Sequence, residues 1–427
     1  MRPPARDPGA GRVPLLTQGF RLSPYAALLR LPGAARHVAA ALVGRLPAGM
    51  APLAIVLGVQ AATGSYATAG LVAGSFSIAS SLTGPVQGRM IDRFGQLWVL
   101  LSGSALLAVA FLGLAAAASA QAPAGTLAGL AVLGGIGNPP LSSCMRALWP
   151  PLLAQDGADP KAPSLTTAYA FESTTQELIF ITGPLVVGLC VVVASPLAAL
   201  VVAAGCSLAG TTVFATGRLS RAWRGAARHP DWAGAMRAPG IRTIVVAAFL
   251  AGLAVGQVEV AVAAFADEAG ARGSAGVLLA VWSLGSMAGG VWYGGREWAA
   301  PAGRRYLVLA WLVALGLGAP ALALNVPLMG AAMFAAGLAL APWLATNYLL
   351  VDRLAPAGTV TEAFTWILTG FMSGLAAGAA TSGLLVEAAG VRTALVAPVA
   401  AMSLAAVVAL ARRGTLVPAA AHPPAVG

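Results

Sequence analysis

Residues 166–188 read TTAYAFESTTQELIFITGPLVVG, and that stretch decides what kind of chain this is. The run is long enough for a membrane-crossing helix, which takes about 20 largely apolar residues. It nevertheless carries Glu172, Gln176 and Glu177. An ionised carboxylate at a bilayer centre costs about 2.5–3.5 kcal/mol even on lenient insertion scales, so acids kept in such a span mark a functional site. Five residues at 3.6 per turn place Glu177 roughly 140° around the axis from Glu172. Glu172 therefore shares a stripe with Gln176, Ile179 and Gly183. Glu177 shares another with Ser173, Thr174, Pro184 and Gly188. The two acids are expected to face different neighbours.

The rest of the chain repeats the apolar pattern. Of 427 residues, 58% are hydrophobic and only 9% charged, against about 25% charged in a soluble domain. Twelve spans fit nearly back to back: 37–60, 67–88, 97–119, 124–146, 166–192, 194–216, 241–266, 273–295, 304–323, 326–351, 361–386 and 392–411. Long unbroken Ala/Leu/Val/Gly runs exclude the short alternating strands of a membrane barrel. The implied class is an all-α integral membrane protein of twelve transmembrane helices in two pseudo-symmetric six-helix bundles. The divisions are a cytoplasmic tail (1–36, expected to be loosely ordered), an N-terminal bundle (37–216), a cytoplasmic linker (217–240), a C-terminal bundle (241–411) and a second tail (412–427).

The formal charge of +11 suggests nucleic acid until its distribution is mapped. All 25 basic residues except Arg45, Arg272 and Arg392 fall in the tails and in the loops after every second span. This is the positive-inside pattern, and it puts both termini in the cytoplasm of a multi-pass inner-membrane protein that does not bind nucleic acid. The six arginines of 218–242 read as a topogenic, solvated linker that can lie on anionic lipid. Cys144, Cys190 and Cys206 fall in spans and read as packing residues. His37, His229 and His422 lie at span edges or in tails. No nucleophile–base set or metal-ligand cluster is evident, so no enzyme and no cofactor are expected.

The halves repeat. At an offset of 206, Ala69, Gly70, Ser77, Ser80, Gly84 and Gly88 recur as Ala275, Gly276, Ser283, Ser286, Gly290 and Gly294. At an offset of 195, Ala168, Tyr169, Phe171, Thr174, Gly183 and Gly188 recur as Ala363, Phe364, Trp366, Thr369, Gly378 and Gly383. Span 2 thus matches span 8 and span 5 matches span 11. Glu172 and Glu177, however, face Ile367 and Met372, so only one copy keeps the acids.

After span 2 stands Gly88-Arg89-Met90-Ile91-Asp92-Arg93-Phe94-Gly95-Gln96. A glycine, an Asp–Arg pair and a second glycine at this spacing resemble the signature of the major facilitator superfamily. Gln96 and Leu97 stand where the family often has further basic residues, and 294–305 keeps a glycine and basic charge without the Asp–Arg pair. The resemblance implies two bundles around a central cavity with alternating access. It makes Gly88, Asp92, Arg93, Gly95 and Arg146 gating residues. Asp92 is expected at the cytoplasmic start of span 11, bonded to Arg146 at the end of span 4. Gly183-Pro184 with Gly188 is similar to a reduced form of the glycine–proline motif of the superfamily's antiporters.

Depth assigns the remaining roles. Arg45 in span 1 and Glu172 both lie about 9–12 Å in from the cytoplasmic face, so they form a candidate pair. Glu177, about 16 Å deep, is near the midplane and is the first choice for proton coupling, with Glu172 and Arg45 beside it. Asn138, Gln176, Glu259 and Asn347 are candidate cavity residues. Trp282, Trp343 and Trp366 are aromatic candidates. The expected protein is a bacterial proton-coupled exporter of a small amphipathic molecule, monomeric and embedded in the lipid bilayer. Uptake of a small metabolite and a non-transporting sensor or scaffold are the alternatives.

Overall fold

A computed structural model describes residues 23–154, 163–225, 234–271 and 274–417, and every regular element among them is a helix. In chain order these are α1 (Ser23–Arg30), α2 (Ala34–Thr63), α3 (Tyr66–Phe94), α4 (Gln96–Ser119), α5 (Ala124–Gly137), α6 (Leu141–Ala154), α7 (Leu165–Val193), α8 (Ala198–Ala215), α9 (Arg218–Ala222), α10 (Pro239–Glu268), α11 (Ser274–Gly294), α12 (Ala302–Gly316), α13 (Val326–Gly337), α14 (Leu340–Leu354) and α15 (Val360–Ala411). Residues 1–22 and 418–427 of the expected tails, 226–233 of the linker, Arg272, His229 and His422 lie outside the described residues.

Ten described helical segments are long and apolar enough to cross a membrane. The difference from the expected spans has local causes. Expected spans 11 and 12 run together as α15, 52 residues long, but Gly390 (φ 79°, ψ 167°) is non-helical and breaks its course. Span 4 is divided instead. Asn138 ends α5 with extended backbone, and Pro139-Pro140 interrupt the ladder before α6, since proline lacks the N–H that continues it. Span 10 has a corresponding break between α13 and α14. A further correction concerns the first tail: residues 23–30 are not loose but form α1, which packs on α2 and α7.

Membrane helices have no hydrophobic drive toward one another, so small residues that permit close contact set the packing. The internal repeat makes this visible. In one seam, between α3 and α15, Gly84 lies against Thr369 and Gly88 against Thr365. In the other, between α11 and α7, Gly290 lies against Thr174 and Gly294 against Ala170. The offsets of 206 and 195 map each contact of the first seam onto one of the second. The repeated residues are therefore the contact surfaces of a pseudo-two-fold arrangement. Thr369 donates to Ser81 O at 2.7 Å in the first seam, and Thr167 to Gly294 O at 2.8 Å in the second.

Gly88 has no room for a side chain: a Cβ there would lie 2.9 Å from Glu362 Cα. Gly88→Val is expected to force α3 off α15 at about 1–3 kcal/mol, the usual cost of over-packing, and to lower the melting temperature of the purified protein by several degrees. Gly70→Val on the same helix, where nothing lies within 4 Å, is the matched control and should melt as wild type does. Equal melting of the two variants would contradict the close-contact role.

Candidate functional site

Two charged constellations and one cavity lie between the helices. The first constellation is the expected pair. Arg45 Nη1 lies 3.0 Å from Glu172 Oε2, with both side chains buried. Arg45 Nη2 donates to Gln176 Oε1 at 2.8 Å, and Trp149 Nε1 donates to Glu172 Oε1 at 3.2 Å. The stripe shared by Glu172 and Gln176 is thus the face α7 turns toward α2, and one guanidinium serves both residues. Gly183, farther along that stripe, packs against Gly49 of α2.

Glu177 turns the other way, as its angular offset requires. It accepts a hydrogen bond from Ser286 Oγ of α11 at 2.9 Å, across the seam between the two repeats. Glu177 also lines a cavity of about 890 Å³ between α2, α7, α10, α11, α14 and α15. Arg146, Asn347 and Tyr348 lie at its floor, and Gly276 and Val277 of the first turn of α11 at its far end. Glu259 and Gln176 also line it, which bears on three of the four cavity expectations. Both amide atoms of Asn347 are buried without a partner among the described residues, so they remain available to a bound molecule or water. The Glu259 carboxylate, whose residue is exposed to the cavity, makes no described hydrogen bond or ion pair.

Asn138 is corrected. It does not line the cavity but donates to Ser80 Oγ at 2.9 Å, tying the break between α5 and α6 to α3. Of the tryptophans, Trp282 lines the cavity, while Trp343 is buried and stacked on Tyr306 at 5.4 Å. Trp366 is only partly buried and is not part of the lining. Pro184 lines the cavity as well.

The second constellation joins α3 to the start of α15, outside the residues that line the cavity. Asp92 Oδ1 accepts from Thr361 N at 3.1 Å and Oδ2 from Glu362 N at 2.8 Å. These are first-turn N–H groups of α15, which have no intrahelical partner and favour a negative charge. The expected place of Asp92 holds, but its expected partner does not. Arg146 instead donates to Tyr348 Oη at 3.1 Å with its guanidinium 3.9 Å from that ring's centroid. The helix terminus already supplies Asp92 with two donors, and the aromatic face gives Arg146 a cation–π partner inside the cavity.

Arg93 also differs from expectation. It points outward, over Phe94, and the ion pair is made by Arg89: Nη2 lies 2.8 Å from Glu362 Oε1 and Nε donates to Oε2 at 3.3 Å. Arg89 stands one turn before Asp92, and a three-residue spacing on a helix puts both on the face toward α15. Glu362 additionally accepts from Ala235 N at 3.3 Å, so the end of the linker joins the same closure. Gly95 (φ 87°) ends α3 in a conformation that favours glycine and bonds its N–H to Ile91 O. The second seam lacks an equivalent acid. There Tyr25 of α1 donates to Gly290 O at 3.1 Å and Val291 O at 2.9 Å.

With this geometry, comparison gives the class. Residues 38–296 match the model of the Major Facilitator Superfamily, and the chain belongs to that family. Among solved structures it is similar to the human organic anion transporter MFSD10 (TETRAN), at 15% identity over 88% of this chain and 99% of that one, with a TM-score of 0.68. It is equally similar to a bacterial homologue of the iron transporter ferroportin in its outward-facing state with soaked iron, at 15% identity over 88% and 98%, TM-score 0.68. At such identities the likeness establishes the fold. Comparison with curated protein sequences finds no match. The chain is thus a multi-pass membrane protein with the fold of secondary transporters.

Arg45→Met should leave the Glu172 carboxylate buried without its countercharge and lower stability by about 3–5 kcal/mol, whereas Arg45→Met with Glu172→Met removes both charges and recovers most of it. Thermal unfolding of the two purified variants tests this. A double variant no more stable than the single one would contradict a simple buried ion pair.

Proposed function

We propose that this protein exports small, amphipathic, positively charged compounds in exchange for protons, by alternating access of two bundles totalling twelve crossings in a bacterial inner membrane. The observation that carries the reading is the placement of two carboxylates, Glu177 and Glu259, in one largely apolar cavity between the repeats. Glu177 bridges to the second repeat, and Glu259 keeps its carboxylate without a hydrogen bond or ion pair among the described residues.

An ionised carboxylate is costly to enclose unless something neutralises it. The cavity closes easily when its acids hold either protons or a cation, and poorly when they hold neither. That alternative couples the two ligands without direct contact between them. With the positive loops inside, the Asp92 closure is cytoplasmic and the far end of the cavity faces outward. Protons arriving from outside load Glu177, and the Ser286 contact loses its charge-assisted character. The bundles then rock, Asp92 leaves the start of α15, and protons depart inward while a cation takes their place. Trp282 and Phe371 supply faces for its apolar part. The Arg45–Glu172 pair holds α2 to α7 during the movement, and Gln176 is kept in place by the same guanidinium.

Inside-out vesicles with a pH-sensitive dye and a panel of cations, anions and neutral compounds test the reading. A lipophilic cation is expected to dissipate an imposed gradient in wild type. Glu177→Gln should abolish that response at unchanged expression, and full coupling in this variant would remove Glu177 from the mechanism. Glu259→Gln should raise the half-saturating cation concentration about tenfold or more, the scale of one lost charged contact, with the maximal rate retained. Asp92→Asn should slow turnover more than it weakens binding. A response confined to anions would overturn the cation assignment.

A further inference from the structure

The transport cavity is not the only built pocket. A second one, of about 620 Å³, lies at the Asp92 end of the second repeat, well away from Glu177. Three separate elements frame it: the start of α12, the end of α14, and the 3-10 turn Arg413–Leu416 that follows α15. Each contributes one arginine, namely Arg304, Arg353 and Arg413. Among the described residues, none of the three makes a side-chain hydrogen bond or takes part in either ion pair. Asp352 interacts with Arg353 but also with Tyr169, and Arg353 stands within electrostatic reach of a further cation, Arg305. Positive charge therefore gathers on one concave site with little to offset it.

The site is held in shape. Thr415 of the 3-10 turn shares a hydrogen bond with Thr243 of α10 at 2.9 Å, and a Cβ on Gly240 would run into the Thr415 carbonyl. The turn thus sits directly on the start of α10, which fixes where Arg413 projects. Leu416, buried beside it, and Leu350 form an apolar floor.

The surroundings say which anion fits. From Arg304 the outer face of α12 continues through Val308, Trp311 and Leu315, spaced three to four residues apart and 52%, 42% and 75% exposed. This is an apolar stripe on the lipid-facing side of a span, with its cationic end at the membrane surface. A free phosphate would use the arginines and leave the stripe unused. A phospholipid with a net negative headgroup uses both: phosphate against the guanidiniums, acyl chains along Val308, Trp311 and Leu315. Guanidiniums suit this role because their planar forks match phosphate oxygens.

We propose that the pocket framed by Arg304, Arg353 and Arg413 binds the headgroup of an anionic phospholipid, whose chains lie along the outer face of α12. The bound lipid joins the ends of α12, α14 and α15.

Thermal unfolding of the full chain in neutral detergent tests the proposal, with phosphatidylglycerol, phosphatidylcholine or inorganic phosphate titrated in. Phosphatidylglycerol should raise the melting temperature saturably, and phosphatidylcholine and inorganic phosphate should not. Each arginine changed to glutamine should weaken the apparent lipid affinity about fivefold, the scale of one basic residue at an anionic surface. Arg413→Gln alters an exposed turn and gives this reading even where another of the variants fails to fold. Glu259→Gln, in the other cavity, should keep the full lipid response. Equal stabilisation of Arg413→Gln and wild type by phosphatidylglycerol would overturn the site. Equal stabilisation by inorganic phosphate would overturn the lipid as its ligand and assign a free anion instead.

Discussion

Burying charge in an apolar interior is the constraint from which the rest of this structure follows. The chain meets it in two ways. Glu172 is neutralised by a buried guanidinium that also reaches Gln176. Asp92 uses no cation of its own, only the unpaired N–H groups at the start of α15. The difference has mechanical weight. An ion pair between α2 and α7 joins two helices of one repeat, and separating it exposes two charges. The Asp92 contact joins the two repeats, and separating it returns one carboxylate and a helix end to water, where both are readily solvated. The fully buried ion pair lies within a half, and the helix-terminus contact lies between halves beside the partly exposed Arg89–Glu362 pair.

The internal repeat supplies the second organising fact. The seams α3–α15 and α11–α7 are built from corresponding glycine and threonine positions, yet they are closed by unrelated chemistry. One uses Asp92, Arg89 and Glu362; the other uses a phenol from α1. Packing residues are shared because both seams must bring backbones equally close. Closing residues are free to diverge because hydrogen bonds to exposed helix ends and carbonyls can be supplied by whatever chain lies nearby.

Much of this was legible in the sequence, and the reasons are specific. Membrane-length apolar runs are dictated by bilayer thickness, so the class followed from them. The five-residue spacing of Glu172 and Glu177 was enough to send them to different neighbours, and the depth of Arg45 was enough to pair it with Glu172. What stayed hidden needed a second helix to define it. Arg89 could not be told from Arg93 until the face toward α15 was known, and nothing in the sequence alone singles out Glu362, whose partners lie on α3 and the linker. Tyr25 was lost because the polar, proline-rich composition of the first tail masks the short helix that carries it. Arg146 was assigned to Asp92 by resemblance, but Tyr348 offers it an aromatic face that sequence spacing cannot reveal. Asn138 seemed a cavity residue because its partner Ser80 lies on another helix.

Ser80 and Ser286 occupy equivalent positions in the two repeats, and they have taken different employment. Ser80 receives the amide of Asn138 and steadies an interrupted helix; Ser286 gives its proton to the bond with Glu177. This serine pair thus meets an acid on one side only. Any movement that parts α11 from α7 has to renegotiate the serine's bond to an acid, while parting α3 from α15 breaks the Asp92 contacts and leaves its serine undisturbed. The molecule is nearly two-fold in its packing and one-fold in the work of this serine pair.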